Sequence, residues 1–211
     1  MPEPDTVFLL AADQKMGDPM RRLLAGAIAY IVLATVSAPV SFAGVTVHYQ
    51  GKAKDAEAIQ KVLAEARSAA SRYGWEVKDA HVANASLTRE EDGKEKAYKG
   101  PLTGIVIQAH PMCEPVHIQF GTDLVMRDFV KTQFAGADVH VKVIELLKQL
   151  KPLLVSLEVL DEGEYWDTGD KGRLKAQIAE VSAMMAAIRK SHPKAKGPVK
   201  IGSGRIVDIV Q

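Results

Sequence analysis

Between Gly104 and Phe120 the chain reads GIVIQAHPMCEPVHIQF, with apolar and polar residues alternating on both sides of a proline-bounded turn. A period of two belongs to extended chain, whose neighbouring side chains point to opposite sides. These segments predict two strands of a sheet that is apolar on one face only. Such a sheet must bury that face under helices, while the other face meets water.

One register aligns the two strands chemically. Pairing His110 with His117 also pairs Gln108 with Gln119, Ala109 with Ile118 and Ile107 with Phe120, and leaves residues 111–116 for the turn. VTVHYQ (45–50) alternates in the same way, setting Thr46, His48 and Gln50 against Val45, Val47 and Tyr49. Further strands are expected at 75–82, 129–134 and 155–161. The charged stretch 86–100, centred on Asp92-Gly93, reads as a solvated loop or hairpin tip.

Apolar residues at helical spacing mark the covering layer. Asp55 opens a helix carrying Ile59, Val62, Leu63, Ala66, Ala69, Ala70 and Tyr73, and Gly74 stops it. A second helix starts near Asp138, carries Val143, Leu146, Leu147 and Leu150, and ends at Pro152. A third, near 170–190, has Leu174, Ile178, Val181, Met184, Met185 and Ile188 as its buried stripe. The fold class is α+β: a mostly antiparallel sheet with helices packed on one face. HYQG and QFAG each precede a capping aspartate and a helix, and each helix leads to Glu-Val-x-Asp (76–79 and 158–161). That pattern suggests duplicated β-α-β units. The domain is expected to span 44–192, with 193–211 a tail that adds an edge strand or stays mobile.

The N-terminus bears on destination. Arg21 and Arg22 precede an uncharged run in which Leu23–Val36 is apolar, too short for the roughly 20 residues of a membrane-spanning helix. Pro39 and Ser41-Phe42-Ala43 follow. A basic start, a short apolar run and small residues before Gly44 make 20–43 a secretory signal. Residues 1–19, ahead of Met20, read as an upstream extension. The expected mature protein begins at Gly44, is exported to a periplasmic or extracellular space, and retains no stable membrane span.

A formal net charge of +1 gives no general affinity for nucleic acid, so no nucleic-acid partner is expected. One cysteine excludes an internal disulfide framework. The uncovered face, with His48, Gln50, Gln108, His110, His117 and Gln119, is the candidate binding surface. Gln and His both donate and accept hydrogen bonds, so the face suits a partner protein or a small polar ligand. The same chemistry describes a plain solvated face.

No cofactor is predicted from a motif. A transition metal held by His110, Cys113, Glu114 and His117 is the rival reading, as a metal-binding protein or metal-dependent enzyme. Their spacing matches no established zinc pattern, and Pro111 and Pro115 also explain a rigid turn. In that turn Cys113 is expected to be open to thiol reagents. A second candidate is the acidic segment 160–170, with Asp161, Glu162, Glu164 and Asp167 around Trp166, suited to calcium or acid/base work beside an aromatic platform. The simpler reading makes Thr168 or Asp170 a helix cap and Trp166 a packing residue.

Overall fold

The computed structural model describes residues 44–210 apart from 92, 93 and 203. The upstream extension 1–19, the signal segment 20–43 and the Asp92-Gly93 turn lie outside the described residues. In chain order the elements are β1 (Thr46–Lys52), α1 (Ala56–Tyr73), β2 (Glu76–Glu91), β3 (Lys94–Gln108), β4 (Val116–Phe120), β5 (Val125–Lys131) and α2 (Ala137–Leu150). A 3-10 turn (Lys151–Leu153), β6 (Ser156–Asp161), α3 (Tyr165–Thr168), α4 (Lys171–Ser191), β7 (Val199–Lys200) and β8 (Ile206–Val207) follow. Among the described residues no helix is long and apolar enough to cross a membrane.

The α+β class holds, but the strands form two three-stranded antiparallel sheets, ordered β5-β1-β6 and β2-β3-β4. α1 and α2 cover one face of both. Val47, Tyr49, Ile105, Ile107, Val116, Ile118, Met126 and Val130 pack there with Val62, Ala66, Val143, Ile144 and Leu147 in one core. The alternation therefore identifies the buried face correctly in β1, β3 and β4.

β4 and β5 are joined by a tight turn in which Gly121 N donates to Val125 O and Leu124 N to Gly121 O, yet no ladder connects them. Tyr49 bridges the seam instead. Its hydroxyl donates to His117 O at 2.9 Å and accepts from His117 N at 3.1 Å, so one side chain satisfies the backbone of the β4 edge. Burial and the nearby Asp128 charge raise the Tyr49 phenol well above its ordinary value, which keeps its proton in place as a donor.

Several expectations are corrected. Of the loop and the hairpin expected at 86–100, the hairpin holds: residues 86–91 pair with 94–99 in a long arm of β2 and β3, irregular between Val82 and Ala85. β5 starts at Val125, earlier than expected; Asp128, on the same side as Met126 and Val130, interrupts the apolar alternation and conceals that start in the sequence. α2 is preceded by Gly136 at φ 87°, with no side-chain cap; Asp138 lies in the first turn and pairs with Lys171. Asp55 does cap α1, accepting from Ala58 N at 2.8 Å. The strand–helix–strand runs are present twice, but their pairings differ. β5 and β6 both flank β1, whereas β2 pairs only with β3.

α4 buries only Leu174 and Met185 of its expected stripe; Ile178, Val181 and Ile188 are half-buried and Met184 is exposed. The tail is no edge strand of either main sheet. β7 and β8 pair with each other, and the segment packs on Glu114, Phe129, Lys131 and Gln133.

Candidate interaction face

The face of β5-β1-β6 turned away from α1 and α2 is set by alternation. β1 presents His48 and Gln50 there, β5 presents Arg127 and Phe129, and β6 presents Glu158 and Leu160. In the ladders His48 stands opposite both Phe129 and Leu160. The His48 and Phe129 rings are 5.6 Å apart between centroids. Phe129 is 39% and Leu160 52% exposed, a large apolar exposure for neighbouring residues. An apolar band thus crosses three strands with an imidazole at its centre. Glu162 holds one rim: Oε2 accepts from Thr46 N at 2.9 Å, and Oε1 lies 3.8 Å from His48 Nε2. At the other rim Arg205 lies over the Phe129 ring, 3.9 Å from its centroid.

The loop between β3 and β4 does not place His110 beside His117. The ladder pairs Val106 with His117 and Gly104 with Gln119, so the register differs from the expected one by four residues. An even shift keeps every side chain on its expected face, which is why the burial pattern survives. A Cβ at Gly104 would stand 2.0 Å from Ile118 O, and the glycine permits the close approach of β3 and β4. The residues removed from the ladder form a folded loop. Cys113 N donates to His110 O at 2.9 Å, and Gln108 Nε2 donates to His110 O and Cys113 O. His110 sits in this loop with Nδ1 accepting from Met112 N.

Cys113 is fully buried, contrary to the open turn expected. Burial, reinforced by Glu114, pushes its thiol up to about 12. The thiolate is the reactive form, so the side chain should be inert at neutral pH. A folded-state assay with Ellman's reagent should show no rapid labelling of Cys113, and stoichiometric labelling only after unfolding. Fast labelling of native protein would contradict this placement.

Glu114 turns inward and is 2% exposed. It accepts from Ile206 N at 2.7 Å and Lys131 N at 3.0 Å, and lies 3.3 Å from Arg205 Nη1. Arg205 also pairs with Asp128, and Asp128 accepts from His117 Nδ1. Burial alone would raise the Asp128 carboxyl; His117 and Arg205 outweigh it and hold the group below its ordinary value. The four residues of the expected metal site therefore have separate partners. Among the described residues no group of three or more His, Cys, Asp or Glu is placed to hold a metal ion.

The acidic segment is likewise dispersed. Asp161 points into the core, Glu162 binds Thr46, Glu164 pairs with Arg173, and Asp167 is exposed. Asp170 caps α4, accepting from Gly172 N and Arg173 N. Trp166 packs against the core, with Lys148 and Lys151 over its ring.

Sequence reasoning missed the partner of Asp161. His140 Nε2 lies 3.1 Å from the Asp161 carboxylate, and Nδ1 lies 2.7 Å from Thr132 Oγ1. Gly163 N and Trp166 N also donate to Asp161. A carboxylate accepts only, so Nε2 carries a proton. Thr132 and His140 are fully buried and Asp161 is 5% exposed. The order Thr–His–Asp resembles a nucleophilic relay, but all three side chains are buried, and their hydrogen bonds satisfy polar groups inside the core. The signal was available: extending the stripe Val143, Leu147, Leu150 back one turn lands on His140.

Of the predicted polar face, Gln50 is bonded to Glu90, Gln108 to its own loop, and His117 to Asp128. His48 remains accessible and Gln119 is half-buried. Comparison with protein-family models, curated proteins and solved structures finds no match.

Proposed function

We propose that this is an exported, non-catalytic binding protein that engages a partner protein through the Phe129–His48–Leu160 band. The observation that carries this reading is the band itself: two exposed apolar side chains in ladder contact with one imidazole, rimmed by Glu162 and Arg205. An apolar centre within a charged rim is the anatomy of a protein interface. A small polar ligand usually needs a concave pocket with convergent polar groups, and Gln50 and Gln108, which would supply them, are bonded within the chain. Export rests on the 20–43 segment and its small residues before Gly44.

The test is site-specific photo-crosslinking in cells making the full chain. A crosslinker at Leu160 should capture one discrete partner, while the same group at exposed Lys175 should not. Phe129→Asp should leave the fold intact and weaken capture about thirtyfold or more, as expected for an interface anchor. Equal capture at both positions, or capture indifferent to Phe129→Asp, would discard this surface.

A further inference from the structure

The β2–β3 arm does not stand free of the sheet. Gln50, on the outer face, clasps the backbone of Glu90: its Nε2 donates to Glu90 O at 2.6 Å and its Oε1 accepts from Glu90 N at 3.0 Å. Arg127 is the ladder partner of Gln50, and Arg89 immediately precedes the clasped residue. Two guanidinium groups thus enter one seam, Arg89 from the arm and Arg127 from the sheet.

Arg89 is 4% exposed. Its Nη2 donates to Val125 O at 2.9 Å, and its guanidinium lies over Tyr98 at 4.8 Å. Nε is 3.3 Å from Asp123 Oδ2, within ion-pair distance but off the hydrogen-bond axis. Nη1 of Arg89 and Nη1 of Arg127 are both shielded from solvent, and neither has an acceptor among the described residues. Burial pulls Arg89 below its ordinary value, Asp123 opposes this, and the charge of Arg127 adds to it. Buried donors are seldom left unmatched, and a guanidinium edge fits two oxygens carried on one centre.

We propose that Arg89 and Arg127 form a site for a small oxyanion, a carboxylate, sulfate or phosphate group, held between the arm and the outer face. The anion supplies an acceptor to each Nη1 and offsets the charge that Asp123 leaves uncompensated. Both atoms are covered in this structure, so entry goes with a slight lift of the arm about the Gln50–Glu90 clasp. The inference is independent of the partner-protein reading.

Thermal unfolding of the full chain tests it, with sodium phosphate, sulfate or acetate titrated against sodium chloride at equal ionic strength. Phosphate and sulfate also stabilise proteins by exclusion from their surface, an effect that does not saturate at millimolar concentration and does not depend on one arginine. The expected result is a saturable rise in Tm at millimolar oxyanion. Its apparent affinity should fall at least about tenfold in Arg127→Gln, and in part in Arg127→Lys, which keeps the charge but loses the fork. A ranking led by acetate assigns the site to a carboxylate, such as a partner's acidic side chain; one led by phosphate or sulfate assigns it to a free tetrahedral anion. In wild-type protein the same titration should move two arginine Nε–Hε NMR resonances. Stabilisation no greater than with chloride, a response undiminished in Arg127→Gln, or unmoved arginine resonances would each overturn the proposal.

Discussion

His140→Ala is expected to cost the folded state about 3–5 kcal/mol, the usual cost of stripping the partner from a buried charge. The substitution opens a cavity in α2 and leaves the Asp161 carboxylate with two backbone donors, Gly163 N and Trp166 N. The pH dependence separates the two contributions. In wild type, burial would raise the Asp161 carboxyl, but the hydrogen bond and charge of His140, with the two backbone donors, hold it below its ordinary value. The unfolded chain therefore binds the proton first as pH falls. The stabilisation is complete above the ordinary aspartate value of about 3.9 and is lost progressively below it. Without His140, burial has less to oppose it and the carboxyl moves up, so the variant is penalised most at neutral pH and relieved by acid. Urea unfolding at several pH values should show the deficit of His140→Ala shrinking as pH falls through the aspartate range. Asp128 titrates there too, but in both proteins, and cancels in the difference. A deficit constant with pH would mean that only the cavity matters.

Leu147→Ala should cost about 2–5 kcal/mol, the range for deleting a buried leucine side chain. Leu147, on α2, is fully buried in the core cluster that it shares with α1 and the inner faces of both sheets. Leu63, on α1, is only half-buried, and Leu63→Ala should cost less because part of its surface is already wet. Equilibrium unfolding with unchanged denaturant slope measures both. A Leu147→Ala effect no larger than that of Leu63→Ala would show that α2 does not carry the central packing described here.

The faces of the strands were legible because a period-two pattern constrains parity directly. Register was not, because the same pattern repeats after any even shift. The four-residue difference between the expected and observed β3–β4 pairing arises from demands that alternation does not express. Cys113 has to enter the core, and Glu114 has to meet Ile206, 92 positions away. Of the candidate polar face, His48 and Gln50 do stand opposite the buried Val47 and Tyr49, but His110 leaves the sheet for a loop and the remaining residues belong to a second sheet. Gln50 and His117 acquire their partners, Glu90 and Asp128, from other strands, and no local window shows such encounters. The apolar band was missed for a related reason. The alternation starts a strand at Phe129 with no partner specified, and only the ladder sets it beside His48 and, through His48, near Leu160.

The contacts of Arg205, Ile206 and Asp208 make the closure of one region depend on a distant segment of the chain. Glu114, Asp128, Lys131 and Gln133 are synthesised long before these three residues, which supply them with hydrogen bonds and ion pairs. With that segment undocked, Glu114 cannot enter the interior without leaving a carboxylate oxygen unmatched. Closure of that region waits for Arg205, Ile206 and Asp208 to dock. The β1–β5 ladder needs none of these three residues, so their docking seals a region whose frame other segments build.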